Sequence, residues 1–160
     1  MITRLVVLVL VAIAAGCQHA PNLDSERTSV RHLFEHMSTT LCAGDWASYQ
    51  ETWAHDSTVE RLDAASGNWL TGWVALSPFY ESMTSRIRGC NFEITKLHIH
   101  VSQDATMAWA VSEGTLSRAD ATIPPIVLWG AFGFEKRAGE WRMVLDHSAV
   151  KVSPGADSRN

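Results

Sequence analysis

Gly139-Glu140-Trp141-Arg142-Met143-Val144-Leu145-Asp146-His147-Ser148 carries a clear strand signal near the C-terminus of the sequence. Trp141, Met143, Leu145 and His147 alternate with Arg142, Val144, Asp146 and Ser148, the period of two that sends neighbouring side chains to opposite faces of a strand. The apolar set claims the interior, which places His147 at the inner end of the buried face. Working backwards, Ala138-Gly139 and Gln103-Asp104 supply hairpin turns, and four strands are expected at about 91–102, 105–118, 126–137 and 140–151. Pro124-Pro125 falls between the middle pair, since neither proline fits a central ladder.

Upstream the period changes. Val30, Leu33, Phe34, Met37 and Leu41 form one apolar stripe of a helix, with Asp24 or Ser25 as its N-cap and Gly44 as its stop. Asp45 caps a shorter helix carrying Trp46, Tyr49 and Trp53. Thr58 to Leu62 and Trp69 to Thr71 read as two short strands around a Gly67-Asn68 turn. Ser77-Pro78 looks like a cap followed by proline at the first helical position, with Phe79, Met83 and Ile87 as the stripe and Gly89 as the close. Helices followed by a run of strands describe an α+β layer packing, a curved sheet around N-terminal helices.

The 160-residue chain has Lys+Arg 13 against Asp+Glu 17 and a net charge of -4, so it lacks the basic footprint of a nucleic-acid binder. At 46% hydrophobic and 19% charged residues it has the composition of a folded domain, not of a disordered chain. Seven tryptophans stand beside only two tyrosines. Arg4, the uncharged stretch from Leu5 to Ile13, and Ala14-Ala15-Gly16 before Cys17 resemble a bacterial lipoprotein signal, with Ala14 where leucine is usual. The resemblance implies cleavage after residue 16, lipidation of Cys17 and a membrane held through the lipid anchor. Gln18, where inner-membrane lipoproteins typically have Asp, points to the outer membrane, facing the periplasm. The alternatives are a plain secretory signal or a spanning helix, for which the apolar run is short. Loss of the leader removes Arg4 and takes the charge to -5. The expected division is a signal at 1–16, a lipidated tether at 17–24, a domain at 25–152 and a flexible tail at 153–160. Cys42 and Cys90 are an even pair suited to a disulfide in an oxidising compartment, or else two buried thiols.

The closing strand, with Gly139-x-Trp141 and His147 six residues after the Trp, is similar to that of the SnoaL-like, NTF2-like superfamily. Gly44-Asp45-Trp46 resembles the junction of the first two helices there, and Trp53-Ala54-His55-Asp56 the segment after the second. Gly72 before the next helix fits as well. The resemblance covers about residues 25–151. It implies a cone-shaped α+β barrel, a curved and mostly antiparallel sheet around a pocket, with dimers through the outer face frequent. It extends to isomerase, cyclase and dehydratase enzymes and to binding or association domains, so function rests on the site.

His147 is the leading candidate for proton transfer, against a core histidine bonded to backbone. The resemblance supplies Asp56 as its partner, although a turn cap with Ser57 and Thr58 explains that residue equally. Trp129 and Ala131 stand where many members carry Arg and Thr, which suggests an apolar pocket lined by Trp53, Trp109 and Trp129. Glu113 is the one acid on the face of Met107, Trp109 and Val111, either a buried functional carboxylate or a solvated strand end. His98 and His100 share a strand face but lack a third ligand at a recognisable spacing, and His32 and His36 suit a solvated helix face; no metal and no cofactor is expected. The expected function is a lipid-anchored envelope protein whose pocket holds a small apolar or aromatic ligand. The alternatives are a cofactor-independent isomerase, cyclase or dehydratase using His147 and Asp56, and a structural or partner-docking lipoprotein.

Overall fold

The first helix begins where the short side chain of Asn22 folds back on the chain: its Oδ1 accepts from the amides of Asp24 (3.1 Å) and Ser25 (3.2 Å). Those two residues are therefore inside the helix and not its cap. The structure, a computed structural model, describes residues 20–63, 67–118 and 124–150. Cys17, the leader and the tail thus lie outside the described residues. Helix α1 (Leu23–Ala43) buries Val30, Phe34 and Met37 and stops at Gly44, whose φ of 72° belongs to the left-handed region. Asp45 caps α2 (Trp46–Gln50) through the Ser48 amide at 3.1 Å.

Strands β1 (Glu60–Asp63) and β2 (Asn68–Thr71) form a hairpin that leads into α3 (Trp73–Arg86). Helix α3 starts four residues before the expected Ser77-Pro78 cap, and Pro78 lies inside it. Proline there removes the bond to the carbonyl of Val74, a residue 91% exposed, where water can take the place of the missing amide. The buried stripe is accordingly Leu76, Tyr80 and Thr84, one position on from the expected Phe79 and Met83, which are only partly buried.

Strands β3 (Cys90–Val101), β4 (Met107–Arg118), β5 (Ile126–Arg137) and β6 (Glu140–Val150) complete one six-stranded sheet in the order β2-β1-β6-β5-β4-β3. Only β1 and β6 run parallel. The expected cone does not close into a barrel: closure needs paired edges, and the four-residue β2 pairs with β1 alone. The result is an open, curved, mostly antiparallel sheet with the helices over its inner face.

Two bulges set which side chains reach that face. In β3, Thr95 is the extra residue between the pairs Ile94–Gly114 and Lys96–Glu113. In β6 the pairing jumps from Gly133–Leu145 to Phe134–Met143, leaving Val144 unmatched. One unpaired residue reverses the alternation beyond it. Trp141 and Met143 point inward as expected, but past Val144 it is Asp146 that is buried while Leu145 is exposed. His147 therefore goes to the outer face, opposite to its expected place.

Helix and sheet are tied at both ends. At the open end Cys42 and Cys90 form a disulfide with Cα atoms 4.8 Å apart, joining the end of α1 to the start of β3. At the other end Glu26 of α1 accepts from the Trp141 indole (2.8 Å) and from Lys136 (2.6 Å). Among the described residues no helix is long and apolar enough to cross a membrane.

Candidate functional site

A void in the core follows from three small residues in one cross-strand row. Ser112, Gly130 and Ser148 are direct neighbours on β4, β5 and β6, with Leu97 and Asp63 at the row's ends. On either side, Phe rings lean over glycines: a Cβ on Gly114 would lie 2.5 Å from the Phe92 ring, and one on Gly130 2.4 Å from the Phe132 ring. Phe34 of α1 meets Phe132 edge-on beside that space, with ring centroids 4.9 Å apart, and Met37 and Met83 line it from the helices. A cavity of about 310 Å³ remains between the sheet, α1 and α3. It is walled mainly by apolar side chains, among them Phe34, Leu41, Met83, Leu116, Leu128 and Phe132.

The next inward row supplies the polar end. Arg61 of β1 stands beside Asp146 of β6 in parallel register, followed by Phe132. Arg61 Nη1 and the Tyr80 hydroxyl both donate to Asp146 Oδ2, and Arg61 Nη1 also donates to the Tyr80 oxygen at 3.1 Å. The guanidinium lies over the Phe79 ring, 4.7 Å from its centroid. The Arg61 and Asp146 side chains are 7% and 8% exposed. Burial drives the Asp146 carboxyl above the ordinary carboxylate range, against the pull of Arg61, Tyr80 and Ser148. Burial likewise pushes the phenols of Tyr49 and Tyr80 upward, with the Asp146 charge adding to it. Two atoms of this group, Arg61 Nε and Asp146 Oδ1, are solvent-excluded and have no hydrogen-bond partner.

The residues expected from the sequence stand elsewhere. His147 does not line the cavity and is only partly buried. Asp56 caps its turn: Oδ1 accepts from the Thr58 amide (2.8 Å) and hydroxyl (2.6 Å), and Arg137 lies 3.3 Å away. Those bonds from Thr58 hold its carboxyl below the usual range. Trp53 is buried in the core behind the cavity wall, packed on Tyr80 at 4.9 Å between ring centroids. Trp109 is on the outer face, stacked on His100 at 5.0 Å. Glu113 is on that face too, bonded to the Trp129 indole N–H (2.8 Å) and 3.2 Å from Lys96. Trp129 belongs to the strand segment that walls the cavity, but its indole is turned outward to Glu113. Of the three expected tryptophans only Trp129 belongs to the cavity wall, which is otherwise mainly phenylalanine, leucine and methionine. The ionic group thought to be missing is present as Arg61, on a different strand. His98 and His100 pair with Val111 and Trp109 on the outer face, and no cluster of three metal-binding side chains exists among the described residues.

Sequence reasoning missed Arg61, Tyr80 and Asp146. Leu76, Tyr80 and Thr84 at i, i+4 and i+8 carried a signal for Tyr80, masked by the larger stripe of Phe79, Met83 and Ile87. Nothing in the local pattern announces the bulge that turns Asp146 inward.

Residues 30–153 match the SnoaL-like domain family. Among solved structures, the chain is similar to an NTF2-like protein of unknown function from Pseudomonas putida KT2440, at 17% identity over 86% of this chain and 93% of that one, with a TM-score of 0.72. It is similar also to a protein from Streptomyces avermitilis proposed to be a dehydratase of the NTF2-like family, at 13% identity over 81% and 99% of the two chains and a TM-score of 0.71. An NTF2-like protein with a cystatin-like fold from Novosphingobium aromaticivorans aligns at 19% identity over 84% and 87%, with a TM-score of 0.67. No curated protein matches the sequence.

Proposed function

The chain belongs to the SnoaL-like domain family, within the NTF2-like fold, and on that premise we propose that it binds an apolar small molecule in the cavity between sheet and helices. The observation that carries this reading is a cavity of about 310 Å³ with apolar walls and a single buried polar end. Ligand sites are characteristically apolar with a few convergent polar groups. The volume is roughly twice the ~150 Å³ that accepts benzene, which suits a ligand of about ten to fifteen heavy atoms. A thermal-shift screen of such molecules is expected to raise the Tm of the wild type but not of Ser112→Leu, whose side chain fills the void. Absence of any shift across the screen would overturn the reading.

The proposal extends to the location. Arg4, Leu5 to Ile13 and Ala14-Ala15-Gly16-Cys17 support a lipoprotein signal, so the domain is held to the envelope through acyl chains on Cys17, on the outer membrane facing the periplasm. Labelling cells with an alkyne fatty acid is expected to tag the wild type and not Cys17→Ser. A second copy of the chain on the outer sheet face, where Trp109 and Val111 are exposed, is the partner this fold's outer face suits.

One observation favours a second reading, an isomerase, cyclase or dehydratase. A buried carboxyl with a raised pKa beside a phenol is the equipment of acid–base chemistry, and here it is Asp146 with Tyr80 in place of His147 with Asp56. Turnover of a found substrate that survives Asp146→Asn unchanged would sink it.

A further inference from the structure

The polar end of the cavity specifies the kind of head group it takes. Asp146 Oδ2 is already occupied by Arg61 Nη1 and the Tyr80 hydroxyl, whose hydrogen is engaged in that bond. What remains is one donor, Arg61 Nε, and one acceptor, Asp146 Oδ1, both buried and unpaired, on side chains more than nine-tenths buried that line the cavity. Ser148, next on the same face, adds its pull on the carboxylate but completes no bond to Oδ1. Buried polar groups are almost always paired, and an unpaired atom on a charged group is costly.

Charge narrows the choice. The guanidinium is neutralised at contact distance by Asp146. An anion entering here meets the carboxylate of Asp146 and that of Asp63, which also lines the cavity, and a cation at the unpaired atoms meets Arg61, with no spare counter-charge on the Arg61–Asp146 pair for either. A neutral group that accepts from Nε and donates to Oδ1 answers both atoms at once. Resting on the pocket reading above, we propose that the cavity selects an uncharged molecule bearing a hydroxyl or primary amide on an apolar body, and discriminates against carboxylates and amines of the same body.

The test uses calorimetric titration of the chain with four C8 probes that differ only in the head: 1-octanol, octanamide, octanoate and octylammonium, with octane as the headless control. The alcohol and the amide are expected to bind at least about tenfold more tightly than either ion, the worth of one hydrogen bond to a charged group. Equal or tighter binding of octanoate or octylammonium overturns the head-group proposal and leaves the pocket reading intact. If no probe binds, octane included, both fall. The double variant Arg61→Met/Asp146→Leu keeps the volume and removes both unpaired atoms. It is expected to bind octane at least as tightly as 1-octanol, and tighter binding of the alcohol than of octane in it would also overturn the assignment.

Discussion

Two carboxylates join helix to sheet in this molecule, and their surroundings are opposite. Glu26 sits at a half-open edge where Lys136 and the Trp141 indole N–H each take one of its oxygens, leaving neither acceptor idle. Asp146 sits in the interior, where Arg61 and Tyr80 crowd a single oxygen and leave the other without a partner. The hydrogen bonds from Lys136 and Trp141 hold the Glu26 carboxyl below the ordinary range, while burial holds that of Asp146 above it. The first arrangement is what a fold needs from an ion pair, complete and cheap to keep because water still screens it. The second is incomplete by one donor and one acceptor at the wall of a cavity, and that difference separates a strut from a site.

The comparison breaks most visibly at the buried pair. Arg61→Met alone or Asp146→Leu alone is expected to cost about 3–5 kcal/mol in denaturant unfolding, because each leaves an uncompensated charge; the double variant is expected to lie within about 1 kcal/mol of wild type. Additive single effects would mean that the two side chains do not act as a pair. Next is the disulfide, which ties the cavity end of α1 and not the Glu26 end. Cys42→Ala/Cys90→Ala, opening a link across 48 residues, is expected to cost about 2–4 kcal/mol. Hydrogen exchange should then accelerate around Leu41 and Phe92 more than around Glu26. Glu26→Gln is expected to cost only about 1–2 kcal/mol, the scale of one charged hydrogen bond.

The smallest effect is the most discriminating, since acid should move the two carboxylates in opposite directions. Glu26 has a folded pKa below its ordinary 4.5, so its contribution is full above that value and fades as pH falls through the lowered one. Asp146 has a folded pKa above its ordinary 3.8, so the folded state holds the proton more tightly than the unfolded chain. Its contribution is full below 3.8 and is lost as pH rises through the raised value. The stability gap between wild type and Glu26→Gln should therefore narrow on acidification, and the gap between wild type and Asp146→Asn should shift in the opposite sense. Parallel slopes would erase the distinction.

How much of this was legible depends on whether a residue's place follows from counting. The four long strands, the Gly44 stop and the Asp45 cap did follow, because hairpin turns, a left-handed glycine and a capping carboxylate are local events. The shared strand face of His98 and His100 followed as well: both point outward, with Leu97, Ile99 and Val101 inward. The site did not. Trp109 and Trp129 are expected in the pocket, and Glu113 either there or at a solvated strand end. Their actual face is fixed by the alternate set Ala108, Ala110, Ser112 and Gly114, small residues that carry little apolar signal and yet face inward. Arg61 and Asp146 meet through a parallel pairing of strands 85 residues apart, which no local pattern contains.

Val144 makes β6 a strand written in two reading frames. Everything after it is in opposite phase to everything before it, and phase depends on the number of residues and not on their kind. Loss of that one residue would heal the bulge and leave Asp146, Ser148 and Val150 inward, with Leu145 in the outward place beside Met143; only regular pairing with Val144 kept in the ladder would bring Leu145, His147 and Ala149 to the interior. Substitutions alter this protein's pocket one side chain at a time; whether one residue stands in or out of the ladder at this position decides the face of all that β6 gives the wall, Asp146, Ser148 and Val150.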